Sequence, residues 1–435
     1  MTTHAWKLPE RVDLGDITVR DGLQTLEHFV PTDLKVKLAE DLVLAGYKHI
    51  EVSNFGNPKF LPQFRDIEEL LDRLFDSERV GHLLKQNGGD VTITAISINE
   101  QAVDRALEYK TKRGRGPDVL LQMVSTDPHH HKVNSGTTLD AYFEMSERCI
   151  AKAKAAGMEM CGTVSTIWGS PMKGHESTTL DTAVEFSKRY LDIGAAYIEQ
   201  ADHDGSADPA RVYEYFSKIL DPGRMGQWAD PKYHLAHFHT SRGMGLANYL
   251  AALQAGIYRF ETTLSGVGGQ PSNTMDGVPS GGTGSYYHQS HLASGLVQTE
   301  DFVIMCEAMG ITTGIDIPDL LAVGTLFRDK VLKISAEDRR ALVANVSRVT
   351  GIPEDRVQRL RDSNEELDGM IAEAAEHYAR LKAIPAEKAR AAMHGLLHST
   401  QFYLEGGMWG FCRAETLVNG VPPSPYLQHL LEMRR

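Results

Sequence analysis

Short apolar runs alternate with longer stretches of helical period from residue 16 to about residue 330. Residues 16–19, 49–52, 91–97, 119–124, 158–165, 196–200, 233–237 and 259–262 are rich in apolar and β-branched side chains. Turn formers bound them, so they read as strands. The stretches between them read as amphipathic helices. In residues 33–46, Leu34, Leu38, Leu42 and Ala45 recur at helical spacing, and Gly46 suits a C-terminal cap. Residues 138–156, 180–193, 210–220 and 244–255 repeat that pattern. Eight strands, most of them followed by a helix, are the count of a (β/α)8 barrel of the α/β class. An open doubly wound sheet has the same alternation, but no Gly-x-Gly-x-x-Gly lies between the first strand and the first helix. From residue 333 the rhythm becomes helical only, over residues 335–349, 362–381 and 385–404. The expected organisation is a barrel over 14–332 and an α-helical C-terminal extension over 333–435. That extension is expected to pack a homo-oligomer, a dimer or tetramer. Residues 266–292, rich in Gly, Ser and Asn, are expected to form a loop that lids the barrel mouth.

Composition narrows the partners. A chain of 435 residues with 42% hydrophobic and 24% charged residues can fill a large core. Its net charge of −13 argues against a nucleic-acid or anionic-membrane partner and leaves a small-molecule substrate as the expected one. The four cysteines are scattered, with no CxxC pair, which argues against both a thiolate zinc site and a disulfide scaffold. The first residues show no apolar core of signal-peptide type, and no window approaches a membrane span, so a cytoplasmic location is expected.

In such a barrel the chemistry stands at the C-terminal ends of the strands. Strand one leads into Arg20-Asp21-Gly22-Leu23-Gln24, and strand two ends in Glu51-Val52-Ser53-Asn54. Strand five runs into Ser165, strand six delivers Asp202-His203-Asp204, and strand seven carries His237 and His239. Side chains two apart on a strand share a face, so the two histidines point the same way. Taken alone, they read equally as two surface or core histidines among the 18 of the chain. Closure of strand eight on strand one would bring Asp21 beside them. One carboxylate and two neutral imidazoles can hold Mg2+, Mn2+ or Zn2+ and leave positions open for substrate oxygens. Arg20 could stabilise an enolate oxygen, or instead form a salt bridge to Asp21 or Glu51. His129-His130-His131 is expected to be an exposed loop, because three adjacent histidines on extended chain cannot face one ion. Alternation places Asp202 and Asp204 together, with His203 opposite.

Thr18-Val-Arg-Asp-Gly-Leu-Gln24 and His237-x-His239-x-x-x-Gly243-x-Gly245-x-Ala247-Asn248 resemble the two signatures of the DRE-TIM metallolyases, metal-dependent lyases and synthases on a TIM barrel. Residues 46–51, Gly266-Val-Gly-Gly269, Ser294-Gly295 and Thr299-Glu-Asp301 are most similar to the 3-hydroxy-3-methylglutaryl-CoA lyase branch. The resemblance spans about residues 14–330 and does not reach 333–435. It implies that Asp21, His237 and His239 ligate the metal and that Arg20 steadies the enolate. Gln24 and Glu51 would belong to the polar substrate shell, joined by Ser165. Asp202 would stand near the substrate hydroxyl, and Asn248 behind the histidines. The implied reaction is retro-Claisen or aldol cleavage of a 3-hydroxy acid or 3-hydroxyacyl-CoA through a metal-bound enolate.

Two departures fall in the strand-eight loop. Where the branch has a cysteine for proton transfer this chain has Gln270, whose amide has no usable pKa near neutrality. Where it has an asparagine ligand, alignment on Thr299-Glu300-Asp301 places Leu296, which cannot ligate. Asn273, Asp276, His288 and His291 of the longer loop are the substitutes on offer, so His288 and Gln270 are carried as catalytic candidates. Thr25-Leu-Glu-His28 replaces the basic and polar residues that follow the first signature, so a CoA thioester is one form of substrate rather than the assumed one. Two other functions fit the same residues. One is a Claisen-type synthase joining an acyl-CoA to a 2-oxo acid; the other is a barrel that binds a metabolite without catalysis.

Overall fold

The apolar runs pair side by side in chain order. In a computed structural model, β1 (Asp13–Asp16), β2 (His49–Asn54), β3 (Thr92–Ile96), β4 (Val119–Ser125), β5 (Glu159–Ser165), β6 (Tyr197–Asp202), β7 (His234–Phe238) and β8 (Arg259–Thr262) form a closed parallel barrel. The structure describes residues 8–24, 26, 29–59, 61–170, 179–203, 205–240, 243–269, 272–275, 278–281, 295–332, 336–360 and 366–405. Strand β1 pairs with β8 from Asp13↔Arg259 through Asp16↔Thr262, and this ladder closes the barrel. The chain divides into two compact units, the first ending at Val323 and the second beginning at Gly324.

Helices follow the strands, and local chemistry sets their ends. These are α1 (Thr32–Leu44), α2 (Ile67–Phe75), α3 (Glu100–Arg113), α4 (Pro128–Ser135), α5 (Leu139–Ala155), α6 (Leu180–Asp192), α7 (Pro209–Ile219), α8 (Gly245–Ala255), α9 (Thr299–Ala308) and α10 (Ile317–Phe327). Asn99, Thr138, Thr179 and Asp208 each accept a backbone N–H of the first turn they precede, which satisfies donors that a helix start leaves unpaired. Between α8 and the barrel, Tyr249 stacks against Phe238, Phe260 and Phe302, and its hydroxyl donates to the Ala236 carbonyl at 3.1 Å. Trp168 is fully buried against Tyr215 and Phe238, so it packs the core rather than lining a pocket.

Two local expectations differ from what forms. The first strand ends at Asp16 instead of running over 16–19, and Thr18–Gly22 is a single π-helical turn. Buried Asp16 accepts the Thr18 N–H at 2.8 Å, an Asx-type turn that competes with strand continuation. His129-His130-His131 is helical rather than an exposed loop, and His130 and His131 are buried. Asp127 accepts the His129 N–H and Pro128 occupies the first helical position, a start signal that the polar composition hid.

The second unit is helical: α11 (Ala336–Thr350), α12 (Glu354–Arg359), α13 (Leu367–Lys382) and α14 (Ala386–Glu405). Val346, Ile352, Leu367, Met370, Ile371 and Leu397 belong to its own buried core. Of the lid expected over 266–292, the described part includes a hairpin of β9 (Ser272–Met275) and β10 (Val278–Gly281). Among the described residues no helix is long and apolar enough to cross a membrane.

Gly46 ends α1 at φ +112°, and a Cβ there would run into the Gly314 carbonyl oxygen. Gly46→Ala is therefore expected to cost more than about 2 kcal/mol, from left-handed strain added to a backbone clash. Urea unfolding followed by circular dichroism checks this; an unchanged midpoint would show that the α1 terminus shifts freely.

Candidate active site

The π turn after β1 does what a longer strand could not. Its wide turn presents adjacent residues Arg20 and Asp21, both buried, to the same mouth, where alternation would have sent them to opposite faces. Arg20 Nη1 donates to Asp21 Oδ2 at 2.5 Å and its Nε donates to Glu51 Oε1 on β2, so both of the salt bridges considered from sequence are made at once. Gln24 Nε2 donates to Asp21 Oδ2 and to the Gly269 carbonyl, each at 2.9 Å. The Gly269 N–H donates to Asp21 Oδ1 at 3.0 Å. The strand-eight loop comes this close because Gly268 has no side chain: a Cβ there would strike Asp21 Oδ1.

Strands β7 and β1 lie either side of β8, and their ends meet as barrel closure requires. One ligand atom each from Asp21, His237 and His239 lie within 4.8 Å of one another, and all three residues are buried. His237 Nε2 stands 3.4 Å from His239 Nε2. On its other side His237 Nδ1 is 3.0 Å from Glu261 Oε2 on β8 and 3.4 Å from Glu199 Oε1 on β6. An Nδ1–H donated to these carboxylates leaves the Nε2 lone pair facing Asp21 and His239, the tautomer a metal ligand needs. Burial, then the neighbouring His239 and Arg20, holds His237 well below the usual imidazole range, so it is neutral. The donor set fits a divalent ion: neutral imidazoles, a carboxylate, and room left in the coordination shell.

Beneath this triad the barrel interior is acidic. Burial raises Glu51 despite Arg20 beside it, and burial with Glu51 close by pushes Glu199 up to about 8. Burial with Glu199 nearby raises Glu261 well above the carboxylate range. Arg20, held between Glu51 and Asp21, stays charged, since burial of its guanidinium is outweighed by those partners. A dication at the triad would draw the same carboxyls back toward ionisation.

The remaining sequence candidates are distributed as follows. Asp202 ends β6, and its oxygens accept the N–H groups of Ser206 at 3.0 Å and Ala207 at 3.1 Å. Asn248 on α8 donates to the Ala207 carbonyl at 3.1 Å, so these two candidates hold the loop after β6. Ser165 donates to the Val124 carbonyl at 3.2 Å and lines a cavity of about 690 Å3. Leu296 is fully buried and bridges His239 in an antiparallel pair. Its side chain reaches the side of Gly268 that Asp21 occupies, an apolar wall where the resembled branch has an amide. Gln270 and His288, with Asp276 and His291, lie outside the described residues. Sequence reasoning missed Glu199 and Glu261. Their signal was available: a glutamate inside an apolar run of a parallel barrel strand, in Tyr197-Ile-Glu199 and Phe260-Glu261, is rarely there for packing. His203 was also assigned no role.

Comparison with known proteins identifies the family. Residues 11–327 match the family model described as HMGL-like. The chain is 28% identical over 320 residues to the mitochondrial hydroxymethylglutaryl-CoA lyase of Gallus gallus, covering 73% of this chain and 92% of that one. It is 29% identical over 314 residues to the (R)-citramalyl-CoA lyase of Chloroflexus aurantiacus, covering 72% and 89%. A solved HMG-CoA lyase from Acinetobacter baumannii, in complex with coenzyme A and 3-methylmalate, superposes with a TM-score of 0.60 at 28% identity, covering 73% of this chain and 90% of that one. The barrel, the two signatures and the matched span lead to one conclusion: the chain belongs to the HMGL-like family, and its chemistry is that of a carbon–carbon lyase.

Proposed function

We propose that the protein is a divalent-metal-dependent lyase that breaks the C2–C3 bond of a 3-hydroxyacyl-CoA thioester or of the corresponding 3-hydroxy acid. The observation that carries this reading is the meeting of Asp21, His237 and His239 at one buried point of the barrel mouth. Asp21, His237 and His239 would hold the ion, with Mg2+ or Mn2+ favoured by the carboxylate and open positions and Zn2+ compatible with the imidazoles. When bound, such an ion supplies Lewis-acid polarisation of substrate oxygens.

The chain supplies the rest. Arg20 keeps its charge and is aimed by Glu51 and Asp21, so its remaining N–H groups stabilise the carbonyl oxygen as negative charge develops there. Asp202, fixed by two backbone N–H groups, takes the proton of the C3 hydroxyl. The C3–O bond becomes a carbonyl, the C2–C3 pair moves onto C2 and the thioester oxygen, and a proton returned to C2 completes the products. His288 and His291 are the alternative bases for the hydroxyl proton, and Gln270 stands where the resembled branch has its proton-transfer cysteine. Gln24 braces Asp21, and Ser165 and Glu51 border the space for substrate. A thioester is supported by the coenzyme A held in the Acinetobacter relative. A cytoplasmic location suits Cys149, Cys161 and Cys306, all buried free thiols. A homo-oligomer packed through residues 333–435 completes the proposal, and light scattering of the full chain tests it.

Exhaustive dialysis against EDTA is expected to abolish cleavage of a panel of hydroxyacyl-CoAs and free hydroxy acids followed by mass spectrometry, and Mg2+ or Mn2+ to restore it. His237→Ala is expected to reduce kcat/KM at least about a hundredfold and to leave metal substoichiometric by elemental analysis. An enzyme indifferent to both treatments would sink the reading. Because Glu261 aims the His237 lone pair, Glu261→Gln is expected to weaken Mn2+ binding by about 10–100-fold in calorimetry. Affinity within twofold of the parent would remove Glu261 from that role.

A further inference from the structure

A cavity of about 690 Å3 is lined by Ser165, which the proposed function places at the substrate, and otherwise by residues to which that function gives no role. Strand ends and the helix start supply polar groups to its lining: His203 after β6, His130 on α4, and Ser125 and Ser165 at the ends of β4 and β5. The apolar side chains of Ile98, Met123 and Met145 share that lining with polar Asn99, Glu100 and Arg148. The cavity adjoins the reacting centre. Strand β6 pairs with β7 through Asp202↔Phe238, so the next residues in that register are His203 and His239.

His203 carries the argument. It is only 8% exposed, and its Nε2 has no hydrogen-bond partner among the described residues. A buried ring nitrogen left without a partner is costly, and proteins rarely keep one without a use. Its position is held from several sides. Asp202 ties down the backbone of Ser206 and Ala207, Asn248 holds the Ala207 carbonyl, and the His130 ring meets His203 edge to face at 4.7 Å. His130 is in turn held by Ser125 Oγ at 3.1 Å, and Ser125 by Thr166 Oγ1 at 2.7 Å. Thr166 adopts φ +60°, left-handed backbone that a β-branched residue takes only where its surroundings impose it. A rigid shell around an unmet donor or acceptor is how a binding site is built.

We propose that this cavity is a substrate subsite receiving the substituent borne by the carbinol carbon, and that His203 Nε2 hydrogen-bonds an oxygen within that substituent. The proposal rests on the lyase reading above and names its substrate class: 3-hydroxyacyl thioesters with an uncharged oxygen close to the carbinol carbon and an apolar end beyond it. An uncharged oxygen is favoured over a carboxylate because the guanidinium lining the cavity, Arg148, is ion-paired with Glu100 at 3.3 Å. The Met123, Met145 and Ile98 surfaces then take the apolar end.

The test uses full-length, Mn2+-loaded protein and two 3-hydroxyacyl-CoA probes that differ only at the carbinol carbon, one carrying methoxymethyl and the other its isostere propyl. Calorimetry is expected to show the methoxymethyl probe bound about 10-fold tighter, the worth of one net hydrogen bond. His203→Leu is expected to erase or reverse that ratio without changing Mn2+ affinity, and His203→Gln, which keeps a donor, to retain part of it. Equal binding of both probes by the parent, no binding of either, or a preference that survives in His203→Leu would overturn the proposal. A protein that shows the preference yet cleaves neither probe keeps the subsite and loses the lyase reading.

Discussion

The parallel ladder between β1 and β8 is the constraint on which the rest depends. It joins residues almost 250 positions apart, since Asp13 pairs with Arg259. Without that closure Asp21 would stand at one edge of a sheet and the two histidines near the other. With it, a carboxylate and two imidazoles share one buried point, and the loop after β8 lies against the turn after β1. The Gly269 N–H on Asp21 records that contact. The cost of closing so long a loop grows only slowly with its length, and packing of the apolar strands on their helices offsets it.

Once closed, the barrel interior has to keep charge where water is scarce. Arg20 stands against Glu51 and Asp21, while Glu199 and Glu261 flank His237. The buried Arg20 charge is tolerated because it is paired, while burial holds Glu199, Glu261 and His237 toward their neutral forms, and in both places the contacts also aim the groups. The guanidinium is turned between Glu51 and Asp21, and the imidazole is turned so that one nitrogen faces the other metal-ligand candidates. The same contacts that satisfy burial prepare the site for a dication, whose charge would complete the balance. Rigidity continues outward through Asp202 and Asn248, which fix the loop carrying His203 beside the cavity.

Much of this was legible along the chain, and the misses have physical causes. The strand from 259 to 262 and the helices ending near Ala155, Asp192 and Ala255 fall where periodicity and capping put them. The first strand did not, because buried Asp16 turns the chain locally, an effect that apolar content does not register. The exposed-loop expectation for 129–131 assumes extended chain, whereas Asp127 and Pro128 start a helix that buries His130 and His131. Glu199 and Glu261 fall outside the strand-end pattern, because they project from within β6 and β8.

Short apolar runs alternating with helical ones, and two short motifs, are local properties, and they sufficed for the barrel, its family and the identity of the three metal-ligand candidates. Side-chain facing within one element follows from backbone geometry, so a sequence carries it. What only the tertiary structure decided is which elements meet and what each buried group then faces. That Arg20 serves Glu51 and Asp21 together, that Glu261 holds His237, and that His203 is left with an unmet nitrogen at a cavity wall are outcomes of closure. Each depends on distances between residues far apart in the chain, which no local pattern encodes.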